Sequence, residues 1–158
     1  MKLYLDTSIF GGFFDEEFEE DTELLFDYIT QYNIQIVYSE VLEKELKNAP
    51  DRVRRLLESI PNRLYVTLNE STIALANTYI KEGVLGEKSV EDAYHIAMAT
   101  TSRTSEIVSW NFKHMVDFLK TRQYNIINLR EGYGLINIHS PLDIVRIIEA
   151  QNTNNHGY

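Results

Sequence analysis

The chain has no cysteine among its 158 residues. That absence excludes a disulfide framework, a thiolate nucleophile and a cysteine zinc site. The sequence also lacks any apolar run long enough for a membrane-spanning helix. It contains no P-loop, GxGxxG, HExxH or GxSxG pattern, which removes several common classes of enzyme. An absence of cysteine fits a cytoplasmic protein.

The length and the beginning of the chain support the same expectation. A chain of this size is long enough for one domain with a sizeable core, and we expect it to cover residues 1–150. Residues 151–158 are polar and predict a flexible C-terminal tail. The chain opens on a strand-like run without a secretory leader, so we expect a cytoplasmic protein with no membrane segment.

Basic residues are scarce relative to acidic ones. Lysine and arginine number 15 against 24 aspartates and glutamates, which gives a net charge of −9. A surface that binds nucleic acid is ordinarily basic. A nucleic-acid substrate therefore needs metal ions or a local basic patch to offset the repulsion. The acidic surface could instead serve a basic protein partner.

Strand-like and helix-like segments alternate along the chain. Strands are predicted at residues 2–5, 34–38, 64–67, 107–109 and 124–128, with a short edge strand at 135–138. Helices are predicted at residues 21–32, 39–47, 51–59, 70–81, 90–103 and 112–121, with a last one from Ser140. This alternation predicts a parallel sheet covered by helices on both faces. Ligands bind such sheets beyond the carboxyl ends of the strands.

Four polar residues lie where this pattern does not require them. Asp6 and Asn111 follow strand-like runs, whereas Glu45 and Asp92 fall on the apolar stripes of two predicted helices. A parallel sheet could bring all four to one edge. Three carboxylates and an amide without an evident basic partner predict a site for divalent cations.

Each of these residues also has a structural interpretation. Asp6 and Asn111 could be N-caps of the segments that follow them. Asp92 could complete a capping box that begins at Ser89. Glu45 could lie at the rim of its helix with its carboxylate in solvent.

Glu45 is the most informative of the four. It falls within the stripe formed by Val41, Leu42, Leu46 and Ala49, and a glutamate that faces inward is costly unless it is paired or bound to metal. Glu43 and Glu40 remain alternatives for the same role. His95 and His114 could be ligands or bases, or rim residues with satisfied hydrogen bonds.

Four segments of the chain together resemble the PIN-domain family. They are residues 5–8 (LDTS), 39–46 (SEVLEKEL), 91–97 (EDAYHIA) and 108–112 (VSWNF), in the order found in that family. The resemblance implies a three-layer α/β/α fold with a parallel sheet of about five strands. By position, Asp6, Glu45 and Asp92 match the first three acids of the family. Asn111 stands where many members have a fourth acid.

The resemblance also implies a function. It indicates a ribonuclease that depends on Mg²⁺ or Mn²⁺ and is similar to the VapC toxins of toxin–antitoxin pairs. Asp6, Glu45, Asp92 and Asn111 would then be both its catalytic and its metal-binding residues. The implied partners are an RNA substrate, an antitoxin protein and a second copy of the chain.

Two other classes of function remain open. A regulatory protein with a weakened metal site could act through a protein partner, and its interface could include the asparagine-rich tail and N-terminal aromatic residues. Those aromatic residues, for which core packing is the alternative, are Phe10, Phe13, Phe14 and Phe18. A haloacid dehalogenase type of phosphotransferase also begins with an aspartate after a strand. That class requires a second aspartate two residues later, where this chain has Ser8.

Overall fold

A five-stranded parallel sheet forms the centre of the protein. The computed structural model describes residues 1–154. The strands are β1 (Lys2–Leu5), β2 (Gln35–Ser39), β3 (Arg63–Val66), β4 (Glu106–Val108) and β5 (Asn137–His139). Their order in the sheet is β3-β2-β1-β4-β5, and each pair is parallel. The carboxyl ends of all five strands therefore meet at one edge.

Helices cover both faces of this sheet and complete the predicted three-layer α/β/α architecture. They are α1 (Thr7–Gly12), α2 (Glu19–Gln31), α3 (Glu40–Leu46), α4 (Asp51–Ser59), α5 (Glu70–Lys81), α6 (Val90–Thr101), α7 (Phe118–Arg130) and α8 (Pro141–Asn154). A short 3-10 helix, Glu87–Ser89, leads into α6.

Alternate residues of the central strands pack into two separate cores. In β1, Leu3 and Leu5 join the core beneath α1, α2, α4 and α8, whereas Tyr4 joins the core beneath α5, α6 and α7. In β4, Ile107 and Val108 divide in the same way. This alternation follows from the two-residue period of a strand and explains why the central strands are apolar throughout.

The predicted fifth strand at residues 124–128 is wrong. These residues belong to α7, where Tyr124 and Ile127 are buried and Asn128 Oδ1 accepts a hydrogen bond from the hydroxyl of Tyr79. The spacing of Tyr124, Ile127 and Asn128 fits one face of a helix, so tertiary packing overrides the local strand preference. The fifth strand is instead the edge strand β5, which overlaps the one predicted at 135–138.

The prediction of a helix at residues 112–121 is also displaced. Residues 112–115 form turns, and α7 begins at Phe118. The carboxylate of the preceding residue, Asp117, accepts a hydrogen bond from the Lys120 amide at 2.8 Å. The short helix α1 was not predicted as a separate element. It occupies the six residues directly after Asp6.

The C-terminal part of the chain is helical as far as it is described. Residues 151–154 of the expected tail continue α8, and residues 155–158 lie outside the described residues. Within residues 1–154, no helix is both long enough and apolar enough to cross a bilayer.

The N-terminal phenylalanines are buried or half-buried and pack on other aromatic rings. Phe10 is fully buried and meets Phe26 edge to face, with ring centroids 6.0 Å apart. Phe13 also packs on Phe26, and Phe18 stacks on Trp110 at 4.3 Å. Core packing is therefore the correct interpretation of Phe10, and Phe13 and Phe14 pack at the edge of the same core.

Gly12 allows this aromatic packing because it has no side chain. A Cβ atom at Gly12 would lie 2.6 Å from Trp110 Nε1, which donates a hydrogen bond to Thr22 Oγ1 at 2.9 Å. We predict that Gly12→Ala displaces the indole ring and lowers the free energy of unfolding by about 1–3 kcal/mol, the usual cost of overpacking. Denaturant unfolding followed by the fluorescence of the one tryptophan measures this loss.

The neighbouring glycine is a matched control. A Cβ atom at Gly11 has no other atom within 4 Å. Gly11→Ala should leave stability unchanged or raise it, because alanine is the better helix former. Equal losses of stability in the two variants would contradict the packing explanation.

Candidate active site

The pairing of β1 with β4 places two polar residues side by side at the carboxyl edge of the sheet. Leu5 is paired with Val108, so the next residues along each strand are Asp6 and Ser109. Ser109 Oγ donates a hydrogen bond to Asp6 Oδ2 at 2.6 Å. Both residues are buried, at 3% and 0% exposure.

A second serine completes the surroundings of the Asp6 carboxylate. Ser8 Oγ donates to Asp6 Oδ1 at 2.6 Å and accepts a hydrogen bond from the Trp110 amide at 2.9 Å. Asp6 occupies the N-cap position of α1, but its side chain makes no capping hydrogen bond. Capping therefore does not account for this carboxylate, which is oriented by two serine hydroxyls instead.

Burial raises the pKa of the Asp6 carboxyl above its ordinary value. The charge of His95 and the hydroxyls of Ser109 and Ser8 act in the opposite direction, while the charge of Asp92 adds to the rise. The pKa of Asp92 is also raised by burial, and the charge of Glu45 contributes to it. Asp6 and Asp92 are thus each affected by the charge of a neighbouring carboxylate.

Glu45 reaches this cluster from α3 and contacts a buried histidine. Its Oε1 atom lies 2.9 Å from His95 Nε2, and 29% of its side chain is exposed. Burial alone would raise the pKa of Glu45, but the hydrogen bond and charge of His95, with a hydrogen bond from Thr7, lower it overall. Glu45 is therefore held in its charged form and faces the cluster.

His95 is fixed from both sides of its ring. Its Nδ1 atom lies 2.6 Å from the hydroxyl of Tyr4, which is also 2.8 Å from Ser39 Oγ. Ser39 in turn caps α3 by accepting a hydrogen bond from the Leu42 amide. A continuous chain of buried polar groups thus connects the first turn of α3 with Glu45 near its end.

Asp92 lies in the first turn of α6 and contacts Asn111. Asn111 Nδ2 donates a hydrogen bond to Asp92 Oδ2 at 3.2 Å, while Asn111 Oδ1 accepts one from the His114 amide at 3.0 Å. Ser89 makes no side-chain cap, so the predicted capping box does not form. The amide of Asn111 therefore presents a donor to Asp92 where a fourth carboxylate would repel it.

The sequence-predicted residues are thus brought together by four different segments of the chain. Asp6 and Asn111 follow β1 and β4, Glu45 comes from α3, and Asp92 comes from α6. The alternative second acids point elsewhere: Glu40 Oε2 accepts a hydrogen bond from the Leu68 amide at 2.9 Å, and Glu43 is exposed beside Tyr65.

Several contributors to the site were missed or underestimated from the sequence. Ser8 and Ser109 hold Asp6, and Tyr4 and Thr7 hold His95, yet none of the four was a candidate residue. His95 itself is only 2% exposed, not a rim residue. The sequence of α6 could have indicated that His95 is buried. The residues around it in this helix are small or apolar, which is typical of a helix that is buried on nearly all sides.

The donor atoms fit a hard divalent cation. Within residues 1–154, no three His, Asp or Glu side chains converge closely enough to chelate one ion by themselves. Mg²⁺ does not require this, because it keeps several waters and is usually held by one or two carboxylates. Asp6 and Asp92 are the pair that would hold it, with Glu45 nearby. His114 Nδ1 is buried beside this cluster without a partner in the described part of the chain, which fits a site completed by water or an ion.

Solved structures share this fold at low sequence identity. VapBC2 from Rickettsia felis, bound to a DNA fragment from its promoter, has a TM-score of 0.57 and 14% identity over 89% of this chain and 98% of that chain. FitAB bound to an IR36 DNA fragment has a TM-score of 0.54 and 15% identity, with coverages of 88% and 94%. No protein-family model and no curated protein matches the sequence. The chain has a PIN-like fold.

The buried charge of Asp6 has a consequence for stability. Because the folded-state pKa of Asp6 lies above its ordinary value of 3.8, stability falls as the pH rises from 3.8 through the folded-state value. We predict that Asp6→Asn raises the melting temperature of the metal-free protein by a few degrees at pH 7, since 1 kcal/mol is worth roughly 2–4 °C at this size. The difference in melting temperature between Asp6→Asn and the wild type should decrease as the pH falls toward 3.8.

Thermal unfolding in EDTA from pH 3.5 to pH 8 tests this prediction. Asp27→Asn is the control, because Asp27 is exposed on α2 and its substitution changes the net charge equally. The prediction is wrong if Asp6→Asn melts below the wild type at pH 7, or if the difference between their melting temperatures does not vary with pH. Either result would show that the charge of Asp6 does not destabilise the folded protein.

Proposed function

We propose that the protein is a metal-dependent ribonuclease that cuts RNA phosphodiester bonds. The observation that carries this proposal is the buried Asp6 carboxylate, held by two serines next to Asp92 and Glu45 at the ligand-binding edge of the sheet. A buried carboxylate that is held by hydroxyl groups is costly to maintain in its charged form, and such acids concentrate at functional sites.

The four predicted residues would have different roles in this site. Asp6 and Asp92 would hold Mg²⁺ or Mn²⁺. Glu45, oriented by His95, would accept a proton from the attacking water or complete the metal site. Asn111 would orient Asp92 through its amide. When bound, the cation would lower the pKa of a water and offset charge on the phosphate.

The bound cation also addresses the unfavourable charge of the chain. A protein with a net charge of −9 repels RNA, and the acidic cluster concentrates that repulsion at the site. A divalent cation neutralises the carboxylates and attracts the phosphate. We therefore expect RNA binding at the site to require the metal.

The partner of the proposed enzyme is an antitoxin protein. The sequence resembles the VapC toxins, and one structure with the same fold is VapBC2. Both similar structures are of proteins bound to DNA fragments. The proposed assignment is thus the toxin of a toxin–antitoxin pair, acting as a homodimer.

Cleavage of a mixed single-stranded RNA pool tests the enzyme directly. We predict cleavage with Mg²⁺ or Mn²⁺ and none with EDTA. Asp6→Asn and Asp92→Asn should each reduce the rate more than about 100-fold, the scale for removing a group that stabilises transition-state charge. His95→Gln should cost about 10- to 100-fold, as for residues that orient metal ligands.

Two glutamates on α3 provide the matched control. Glu45→Gln should abolish cleavage, whereas Glu43→Gln should leave it unchanged because Glu43 is exposed on the other side of the helix. If folded protein does not cut RNA in either metal, the chain is instead a binding protein. In that case, Asp6→Asn should leave partner binding intact.

The contact between Asn111 and Asp92 leads to a separate prediction about metal affinity. We expect Asn111→Asp to bind Mn²⁺ about 10-fold more tightly, because it adds a carboxylate beside Asp92. In EDTA the same variant should melt at a lower temperature than the wild type, since the two carboxylates then repel each other. Titration calorimetry and thermal unfolding measure the two effects.

Asn111→Asp should therefore raise the affinity for Mn²⁺ and lower the melting temperature in EDTA, and a general loss of folding could not produce both effects. Asn111→Ala is the control, because it removes the hydrogen bond to Asp92 without adding charge. If Asn111→Asp bound Mn²⁺ no more tightly than Asn111→Ala, Asn111 would not border the metal.

A further inference from the structure

One large exposed aromatic ring borders the candidate active site. Ten large apolar side chains are exposed in the described part of the chain, and Phe112 is the one that directly follows a candidate site residue. Its Cα atom lies about 3.8 Å from that of Asn111. The side chain of Asn111 in turn contacts Asp92 at 3.2 Å. Since a single exposed apolar residue is ordinary, it is the position of this ring beside the site that calls for an explanation.

The turn that carries Phe112 is held in place by several hydrogen bonds. The Asn111 amide donates to Ser109 Oγ at 2.9 Å. The Asn111 carbonyl accepts hydrogen bonds from the amides of Met115 and Val116, at 3.1 and 2.8 Å. The ring of Phe112 is thus attached to a fixed backbone, and little conformational freedom would be lost when a ligand binds to it.

Other aromatic rings support Phe112 from within the protein. Its ring lies 6.1 Å from the ring of Trp110, centroid to centroid, at an angle of 58°. Trp110 stacks on Phe18 at 4.3 Å, and its Nε1 atom donates a hydrogen bond to Thr22. The Phe112 ring therefore has fixed aromatic neighbours on one side, while 51% of the residue is exposed.

A positive charge follows the ring directly in the chain. The side chain of Lys113 is exposed, and its ammonium has no hydrogen bond or ion pair with any residue of 1–154. An aromatic face beside a positive charge is the combination by which proteins hold single-stranded nucleic acid. The ammonium would also offset part of the net charge of −9 where a phosphate approaches.

We propose that the Phe112 ring stacks on an unpaired base of the RNA, next to the phosphate at the metal site, and that Lys113 contacts a phosphate beside that base. The identity of this ligand rests on the proposed function, since RNA is the substrate proposed there. Stacking tolerates any base, because every base has a flat π face. The subsite therefore positions the strand without selecting its sequence.

Removal of single bases from the RNA tests the stacking. The substrate is a single-stranded oligonucleotide with a mapped cleavage site, and an abasic residue is moved along it one position at a time. At one position next to the cut, loss of the base should lower kcat/KM of the wild type about 5- to 150-fold, which is the value of one stacked base. The same loss should not affect Phe112→Ala, because that variant has no ring on which the base can stack. Such coupling between the two changes is the sign of a direct contact.

Two further variants separate stacking from general apolar contact. Phe112→Trp should retain the response to the abasic residue, whereas Phe112→Leu, which is apolar but not flat, should lose it. The stacking proposal is overturned if every abasic position costs the wild type and Phe112→Ala the same. It is also overturned if Phe112→Leu responds like the wild type.

A binding measurement distinguishes failure of this subsite from failure of the proposed nuclease. Filter binding of the same oligonucleotides to Glu45→Gln protein in Mn²⁺, with and without Phe112→Ala, gives the same comparison as dissociation constants, because that background should not cut. Coupling in binding without cleavage by the wild type would support the Phe112 contact and overturn the nuclease. Cleavage without coupling would overturn the Phe112 contact alone, and absence of both would overturn both.

The salt dependence of the same binding tests Lys113. Lys113→Gln should reduce the slope of log K against log salt concentration by about 0.7, the value for one phosphate contact on a single strand, whatever base is present. Arg146→Gln is the control, because Arg146 is exposed on α8 and its substitution removes the same charge. A slope for Lys113→Gln equal to that of Arg146→Gln would overturn the phosphate contact.

Discussion

The buried carboxylate of Asp6 is the constraint on which the rest of the site depends. An ionised acid at the end of a central strand is costly unless hydrogen bonds or a cation compensate it. Ser8 and Ser109 supply two of those hydrogen bonds. The same two hydroxyls also accept hydrogen bonds from the backbone amides of Trp110 and Asn111. The need to satisfy one carboxylate thus fixes the path of the chain after β4 and brings Asn111 to Asp92.

A second network fixes the other side of the site. The Ser39 hydroxyl caps α3 and contacts Tyr4, which contacts His95, which contacts Glu45 on the same helix. Because Ser39, Tyr4 and His95 are buried, each has few alternative partners, and His95 holds the carboxylate of Glu45 in one place. The core on this face of the sheet is therefore part of the site, since Tyr4 belongs to both.

The sequence identifies the four candidate residues but not the groups that hold them in place. Glu45 was recognisable because it interrupts an apolar stripe, and Asp6 because it follows an apolar strand. The roles of Ser8, Ser109 and Tyr4 depend on contacts between residues far apart in the chain, which local patterns do not contain. The strand predicted at Tyr124–Asn128 failed for a related reason: residues with strand preference were placed in α7 by the core that Tyr79 and Tyr124 share.

The fold is common to proteins that are only 14–15% identical to this chain, so the fold alone does not assign an activity. The proposed function requires that Asp6 and Asp92 hold a divalent cation. Its most direct test is anomalous diffraction from crystals soaked in Mn²⁺. We expect a peak roughly 2.0–2.3 Å from carboxylate oxygens of both residues. Crystals without a peak there, or with Mn²⁺ bound only elsewhere, would contradict it.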